Sequence, residues 1–126
     1  MLRAMTTLET DIERFLADLR QVVAEREWSQ FHNPKNLAML LASEVGELVA
    51  EYRWVPDQAA DEHSRAGKPR ERIEDEIGDV GIALFLLCDR IGVDLMGAVS
   101  NKLKKNRQRY PVDKARGKAE RPEEAP

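Results

Sequence analysis

Cysteine is nearly absent from this chain, in which Cys88 is the only one among 126 residues. A single cysteine cannot close an intramolecular disulfide, and Cys88 lies in an apolar run, so we expect it to pack inside a protein from a reducing compartment. Aromatic residues are also scarce, at 6% of the sequence, and strand-like runs of valine, isoleucine and threonine are missing. These shortages disfavour a β-sheet protein and favour an all-α fold.

Long hydrophobic stretches are lacking as well. No run is long and apolar enough to span a membrane, and residues 1–10 lack the apolar core of a secretory signal. We therefore expect a cytoplasmic protein with no membrane partner. The net charge of −3 argues against binding to a nucleic-acid polymer. The length fits a single globular domain.

The spacing of the apolar residues predicts four long helices. Asn33 followed by Pro34, and Asp94 further on, are residue types that begin helices. Four helices with short connections make a four-helix bundle, which we expect over residues 1–111. The charged tail, residues 112–126, is expected to be disordered. The predicted helices run from a cap at Thr6 or Thr7 to about Glu27, from Pro34 to Arg53, from Pro69 to Ile91 and from Leu95 to Tyr110, and residues 55–69 form a loop with room for a short helical turn.

Carboxylates in the second predicted helix lie on one face, because Glu44, Glu47 and Glu51 are spaced three and four residues apart. The leucines of this helix fall on the same face, so the acids stand within the apolar stripe rather than opposite it. The third predicted helix repeats this arrangement with Glu76 and Asp79. The apolar neighbours are Leu37, Leu40, Leu41 and Leu48 in the second helix, and Ile73, Val80, Leu84 and Leu87 in the third.

Acids on an inward face need a partner. Two like charges on a solvated face cost only about 0.2–0.5 kcal/mol, whereas a buried, unpaired carboxylate costs several times more. Arginine and lysine are scarce at the inward positions, and a carboxylate cluster without histidine or cysteine suits Mg²⁺ or Mn²⁺. In a bundle the two acidic faces can meet at the scale of a small metal site. The alternative is that both pairs are solvated faces.

The two acidic pairs resemble the ExxE…ExxD signature of the all-α nucleoside triphosphate pyrophosphohydrolases, the MazG-like family. Residues 25–37, which precede the first pair, resemble the dCTP pyrophosphatase branch of that family, and so do Trp54 and residues 106–111. The resemblance covers about residues 16–111. The two pairs are Glu44-x-x-Glu47 and Glu76-x-x-Asp79.

The resemblance implies a homo-oligomeric enzyme, a tetramer or a dimer, that hydrolyses a nucleoside triphosphate to the monophosphate and pyrophosphate. The expected substrate is dCTP or a modified dCTP, and the expected role is sanitation of the nucleotide pool. The expected cofactor is Mg²⁺, with Mn²⁺ as a substitute. A divalent ion offsets the repulsion between the carboxylates and the substrate phosphates, and it activates a water molecule for attack. Glu47 is a candidate to accept the proton of that water. The implied metal ligands and catalytic residues are Glu44, Glu47, Glu76 and Asp79.

Three residues of the fourth predicted helix are implied substrate contacts. Lys102 and Asn106 lie four apart on one face and resemble the family's phosphate and sugar contacts. Arg109 is a further candidate for phosphate binding. The alternatives are a solvated basic face and, for Arg109, a cation that interacts with the helix dipole.

Three residues near the ends of predicted helices are implied contacts of the base. Trp28 and Trp54 each follow a helix, and an aromatic face stacks on a base with roughly 1–3 kcal/mol. His32 flanks the expected pocket. The alternatives are that both tryptophans fill the core and that His32 is a structural hydrogen-bonding residue.

The chain departs from the dCTP-preferring enzymes at two positions. Leu19 stands where they carry a histidine in the first helix, and Ala83 stands where they carry a tyrosine one turn beyond the second acidic pair. Both changes remove polar or aromatic groups from the expected base pocket, so the sequence does not predict a strict preference for dCTP.

Two other classes of protein compete with this interpretation. A di-iron carboxylate bundle normally needs Glu-x-x-His motifs, and neither histidine stands three residues after a glutamate. A second alternative is an inactive helical module that binds a metal or a protein partner.

Overall fold

The computed structural model describes the backbone of residues 2–120 and the side chains of residues 11–120. All regular secondary structure within that range is helical, so the prediction of an all-α protein is confirmed. The helices are α1 (Leu2–Glu25), α2 (Pro34–Ala50), α3 (Ala60–Arg65), α4 (Gly67–Ile91), α5 (Leu95–Arg109) and α6 (Val112–Ala115), with 3₁₀ turns at Trp28–Phe31 and Asp57–Ala59.

The chain divides into two compact units between Ile91 and Gly92. The first unit contains α1 to α4, and the second contains α5 and α6. The four long helices predicted from sequence correspond to α1, α2, α4 and α5. Their assembly into one bundle over residues 1–111 stays a prediction.

Side-chain caps begin α2 and α5, as the sequence predicts. Oδ1 of Asn33 accepts a hydrogen bond from the backbone N–H of Asn36 at 2.9 Å, and Pro34 occupies the first turn, where its missing N–H needs no partner. At α5 the carboxylate of Asp94 accepts from the N–H of Gly97 at 3.0 Å. Local sequence therefore fixes where these two helices start.

Helix α1 differs from the prediction at both ends. It begins at Leu2, so Thr6 and Thr7 lie inside the helix and the predicted cap is wrong. It ends at Glu25, because Glu27 adopts a left-handed conformation with φ 54° and ψ 36° that interrupts the helix. The 3₁₀ turn that follows begins at Trp28.

The facing ends of α2 and α4 also differ from the prediction. Helix α2 ends at Ala50 rather than Arg53, because the N–H groups of Tyr52 and Arg53 donate to carbonyls three residues earlier, as in a 3₁₀ turn. Helix α4 begins at Gly67 rather than Pro69. Pro69 is tolerated there because first-turn N–H groups have no partner within a helix.

The connection between α2 and α4 contains the short helix α3. The hydroxyl of Tyr52 donates to Oγ of Ser64 at 2.7 Å, and that Oγ donates to the carbonyl of Ala60 at 2.7 Å. The ring of His63 lies edge-on to Tyr52, with 6.0 Å between the ring centroids. These contacts attach α3 to the turn that follows α2, and α3 also packs on α4.

The most extensive packing in the first unit is α2 against α4. The less exposed residues of both helices recur at alternating intervals of three and four, the heptad spacing of helices that pack side by side. Leu40, which the sequence places on the inward face, is instead 37% exposed. We call the regularly spaced, less exposed residues the α2–α4 seam: Leu37, Leu41, Glu44 and Leu48 from α2, Glu51 immediately after α2, and Ile73, Glu76, Val80, Ala83 and Leu87 from α4.

Helix α1 contacts α4 through a ring pair and an ion pair. The ring centroids of Phe15 and Phe85 are 5.2 Å apart. The guanidinium of Arg20 donates to the carboxylate of Asp89 from Nη2 at 2.6 Å and from Nε at 3.2 Å. These hydrogen bonds hold the pKa of Asp89 below its ordinary value. Cys88, beside this pair, is buried and free, in line with its expected packing role.

The second unit begins with α5, whose last turn carries Arg107 and Arg109. Helix α6 follows Pro111 directly, so part of the predicted tail is helical, while residues 121–126 lie outside the described residues. Among the helices of residues 2–120, none has the length and apolarity needed to cross a membrane.

Candidate metal centre

Four carboxylates from α2 and α4 converge between the two helices. One oxygen atom from each lies within 4.8 Å of the other three. Each helix contributes an acidic pair with a spacing of three residues, which places both members on one face. The sequence prediction that the two acidic faces meet is therefore confirmed, and their role as metal ligands stays a prediction. We call Glu44, Glu47, Glu76 and Asp79 the acid cluster.

Two members of the acid cluster are partly buried, and each has one oxygen without a hydrogen-bond partner. Oε2 of Glu44 and Oε2 of Glu76 are both enclosed, and neither has a hydrogen-bond partner. Glu47 and Asp79 are exposed. Burial raises the pKa of Glu44, and the charges of Glu47 and Asp79 raise it further. The pKa of Glu76 is raised by burial first and then by the other acids of the cluster.

Among residues 11–91 of the first unit, the arginines pair with acids outside the acid cluster. Glu51, immediately after the end of α2, differs from the acids of the cluster in having a cationic partner. Its carboxylate accepts a hydrogen bond from Nε of Arg72 at 3.0 Å. The α2–α4 seam thus pairs Glu51 with a cation and leaves Glu44 and Glu76 without one.

The donor set fits a hard divalent cation. Such ions take oxygen ligands, and Mg²⁺ usually binds one or two carboxylates together with substrate phosphates. The enclosed oxygens of Glu44 and Glu76 have no hydrogen-bond partner, and a bound cation would supply one with the opposite charge. The exposed carboxylates of Glu47 and Asp79 leave the same cluster open to a ligand from solvent. The arrangement can therefore bind a divalent ion and, through it, an anion.

A cavity of about 250 Å³ lies beside α1 and α4 in the first unit. Leu86 and Asp89 follow Asp79 by seven and ten residues, or about 10 and 15 Å along the helix. The wall combines apolar side chains with a hydroxyl, an imidazole and an ion pair. We call this the α1–α4 cavity, and its main lining residues are Leu19, Arg20, Ser29, His32, Leu86 and Asp89.

Both tryptophans of the prediction lie at the surface of the first unit. Trp28 is 45% exposed, and the guanidinium of Arg26 lies 5.7 Å from its ring. Trp54 is 87% exposed, and the guanidinium of Arg53 lies 5.9 Å from its ring. Neither ring is a core residue, so both have faces available for stacking. Their role in binding a base stays a prediction.

Lys102, Asn106 and Arg109 all lie on α5, in the second unit. The helix places Lys102 and Asn106 one turn apart on one face, with Asn106 the less exposed. The guanidinium of Arg109 lies 5.7 Å from the ring of Tyr110. The other seven predicted site residues belong to the first unit, so the phosphate and sugar contacts of α5 stay predictions.

Sequence reasoning missed two arginines of the first unit that pair with acids. Arg72 stands four residues before Glu76, a spacing that places it on the face of the acids, and this spacing could have identified it. The pairing of Arg20 with Asp89 joins residues 69 positions apart, and no local pattern predicts it.

A model of the MazG-like family matches residues 39–124. That match includes the whole acid cluster and most of the described chain. The chain belongs to the MazG-like family. Its fold agrees, because a crystal structure of a pyrophosphatase from Archaeoglobus fulgidus superposes with a TM-score of 0.72 at 35% sequence identity, over 79% of this chain and 92% of that one.

Curated relatives of this MazG-like chain are named dCTP pyrophosphatase 1. The rat protein is 46% identical over 115 residues, which are 90% of this chain. The bovine protein is 45% identical over 115 residues, and the human protein is 40% identical over 120 residues. The chain spans 64% of the length of the rat and bovine relatives and 68% of the human one.

The two departures noted in the sequence have defined places in the MazG-like fold. Leu19 lines the α1–α4 cavity. Ala83 is buried in the α2–α4 seam, where it is 1% exposed. A leucine makes the cavity wall more apolar than a histidine would. A buried alanine presents no polar group to a ligand.

Proposed function

We propose that this protein is a Mg²⁺-dependent nucleoside triphosphate pyrophosphohydrolase, which converts a deoxynucleoside triphosphate, dCTP or a modified dCTP, to the monophosphate and pyrophosphate. The observation that carries the proposal is the acid cluster, in which two carboxylate oxygens are enclosed without a partner. The relatives named dCTP pyrophosphatase 1 support the choice of substrate, and the archaeal pyrophosphatase supports the type of bond that is broken.

Electrostatics explain why such a site needs a divalent ion. A triphosphate and four carboxylates repel each other, so a divalent ion is needed between them. Mg²⁺, or Mn²⁺ in its place, would be held by the acid cluster and would neutralise both sets of negative charges. The ion would also lower the pKa of a water molecule and stabilise the charge that develops in the transition state. Glu44 and Glu76 are the inner ligands of this proposal, because each has an enclosed oxygen without a partner. Asp79 completes the set from the exposed side.

Glu47 is the proposed general base. It is an exposed member of the acid cluster, so a water molecule that enters from solvent can reach its carboxylate and donate a proton to it. Its carboxylate takes one proton from the water while the water oxygen bonds to phosphorus. The bridge between the α- and β-phosphates then breaks, and pyrophosphate leaves. One water is consumed for each monophosphate formed.

The α1–α4 cavity is the proposed site of the base. It lies about 10 Å beyond Asp79 along α4, which leaves room for a sugar between the cavity and the acid cluster. His32 and Ser29 offer hydrogen bonds to a base edge, and Leu19 offers an apolar contact. We also propose that Trp28 stacks on the base and that Lys102, Asn106 and Arg109 of α5 bind the phosphates and sugar. Trp54 comes three residues after Glu51, beyond the acid cluster from the cavity, so we propose that in the homo-oligomer it stacks on the base held by a neighbouring subunit.

We further propose that the active form is a homo-oligomer, a tetramer or a dimer. An apolar cavity of about 430 Å³ lies against Phe15, Ile82 and Phe85 in the first unit. Ile82 is 39% exposed, and Ile91 at the end of α4 is 50% exposed. Burial of such side chains stabilises association. Light scattering coupled to size exclusion should give a mass above that of one chain, and a monomer at micromolar concentration would refute this part.

Pyrophosphate release tests the proposed activity. The panel contains dCTP, 5-substituted dCTP, dUTP, dTTP, dATP, dGTP, ITP and the ribonucleotides, each with Mg²⁺ and with EDTA. We expect release that requires Mg²⁺ and favours a pyrimidine deoxynucleotide. No release from any nucleotide by a folded oligomer would favour the inactive module, and calorimetric titration with Mg²⁺ would then show whether Glu44 and Glu76 bind metal at all.

A further inference from the structure

Arg72 is the basic side chain paired next to the acid cluster along the α2–α4 seam. It stands four residues before Glu76, or about 6 Å along α4, on the same helical face. Its partner Glu51 stands four residues after Glu47 on α2. The ion pair therefore lies one helical turn beyond the acid cluster, at the end where α2 finishes and α4 begins.

The ion pair leaves most donors of Arg72 unused. Glu51 accepts from Nε alone, at 3.0 Å, and neither Nη1 nor Nη2 forms a hydrogen bond within the described residues. The terminal nitrogens carry four of the five N–H groups of a guanidinium and form the fork that matches phosphate oxygens. The side chain of Arg72 is 53% exposed, whereas that of Glu51 is 19% exposed. Glu51 thus anchors a cation whose fork remains accessible.

The direction of the substrate follows from the two ends of α4. The α1–α4 cavity lies towards the C-terminal end, beside Leu86 and Asp89. Arg72 lies on the opposite side of the acid cluster, towards the N-terminal end. A nucleotide whose base enters the cavity and whose α-phosphate meets the acid cluster directs its β- and γ-phosphates towards Arg72.

We infer that Arg72 binds the β- and γ-phosphates of the substrate and holds the pyrophosphate leaving group, and that Glu51 fixes its guanidinium in place through Nε. This inference rests on the proposed function and deepens it. The divalent ion neutralises phosphate charge near the bond that breaks, and Arg72 neutralises charge on the departing end. Arginine suits this role because it stays charged and binds two oxygens at once.

Pyrophosphate binding in the presence of Mg²⁺ tests the inference without turnover. Calorimetric titration of the full chain gives the affinity for wild type, Arg72→Gln and Arg72→Lys. We expect Arg72→Gln to weaken pyrophosphate binding by roughly 10- to 100-fold, the range for hydrogen bonds to a charged group. Arg72→Lys keeps the charge and loses the fork, so its affinity should fall between the other two. Binding of the nucleoside monophosphate should stay unchanged in both variants.

Arg70→Gln is the matched control. Arg70 lies on the same helix, is 50% exposed and also donates from Nε to a carboxylate, that of Glu74 at 2.6 Å. It stands two residues from Arg72, so it lies on the other side of the helix. Arg70→Gln should bind pyrophosphate like wild type. Equal affinities of Arg72→Gln and Arg70→Gln would overturn the inference.

Glu51→Gln separates phosphate binding from a merely structural ion pair. This variant removes the charge of the partner and keeps the guanidinium, so it should weaken pyrophosphate binding, but by less than Arg72→Gln does. If the pair only joins α2 to α4, Glu51→Gln and Arg72→Gln should lower the unfolding temperature alike, with no change in pyrophosphate affinity, and the inference fails.

Steady-state kinetics distinguish this failure from failure of the proposed function. A wild type that releases pyrophosphate from a nucleoside triphosphate supports the proposed function, and Arg72→Gln should then lower kcat/KM by roughly 10-fold or more. Normal kcat/KM in Arg72→Gln would overturn the inference alone. A wild type that hydrolyses nothing would overturn the proposed function, while the titrations still decide whether Arg72 binds pyrophosphate.

Discussion

Glu44 and Glu76 meet across the α2–α4 seam, each with one enclosed carboxylate oxygen that has no hydrogen-bond partner. Apolar residues occupy the adjacent seam positions on both helices, namely Leu41 and Leu48 beside Glu44 and Ile73 and Val80 beside Glu76. The two glutamates therefore occupy positions suited to leucine or isoleucine. We expect their placement to weaken the packing of the free protein and a bound cation to offset that cost.

The first prediction concerns the stability of the metal-free protein. Glu44→Gln and Glu76→Gln each remove a partly buried charge, so each should raise the unfolding temperature in EDTA at neutral pH. Each should also reduce the rise that Mg²⁺ produces in wild type. Thermal unfolding with and without Mg²⁺ measures both effects. The control is Glu71→Gln, an exposed acid of α4, and variants no more stable than that control would contradict the prediction.

A second prediction follows from the raised pKa values of Glu44 and Glu76. Well below the ordinary value of 4.5 both glutamates are protonated in the folded and unfolded states. As the pH rises through 4.5, the unfolded chain releases these protons while the folded protein still holds them. The free energy of unfolding therefore falls until the pH has passed the raised pKa values of the folded state. The stability gap between the Glu44→Gln/Glu76→Gln double variant and wild type, both in EDTA, should open over that range. A gap independent of pH would exclude this origin.

Turnover should depend on Glu47. Glu47→Gln keeps the size of an exposed side chain and removes its charge, so circular dichroism should show an unchanged helical fold. Pyrophosphate release should fall by more than about 100-fold, because even residues that only support metal ligands cost 10- to 100-fold. Glu71→Gln is again the control. Normal turnover in Glu47→Gln would remove it from the catalytic site.

Trp54 should affect substrate affinity rather than stability. Its ring is 87% exposed, so Trp54→Ala removes little packing and should leave the unfolding temperature nearly unchanged. Loss of a stacked base at roughly 1–3 kcal/mol should raise KM by about fivefold or more. Steady-state kinetics on the best nucleotide of the panel measure it. An unaltered KM would show that the substrate does not contact Trp54.

The ion pair between Arg20 and Asp89 should stabilise α1 against α4. Its hydrogen bonds depress the pKa of Asp89, so the stabilisation is complete above the ordinary value of 3.8 and is lost as the pH falls through the depressed one. Arg20→Gln should lower the unfolding temperature at neutral pH and have less effect in strong acid. Arg14→Gln, which breaks a looser pair at 3.9 Å with Asp11, is the control and should have little effect at either pH.

Much of the site could be predicted because its determinants are local. A spacing of three between acids fixes their shared face on any helix, and the apolar stripe shows which face turns inward. Leu40 is predicted to face inward but is 37% exposed. The apolar stripe of α2 is wide, and a helical wheel does not show which edge of such a stripe the neighbouring helix covers. The caps at Asn33 and Asp94 were equally predictable, since each side chain bonds to the backbone three residues on.

The remaining features depend on distant contacts or on unusual backbone. Glu27 is left-handed, a conformation that its residue type disfavours, so the end of α1 has no sequence signal. Helix α3 is held by the bond between Tyr52 and Ser64, twelve residues apart. The α1–α4 cavity depends on a pair 69 residues apart. Periodicity carries no information about such pairs.

The position of the two seam glutamates has an evolutionary consequence. A descendant of this chain that no longer needed the ion would gain stability by exchanging Glu44 or Glu76 for leucine, and the adjacent apolar residues would accommodate the change. Both glutamates stand in this sequence at seam positions that apolar side chains would fill, as expected of a helical interface that binds an ion.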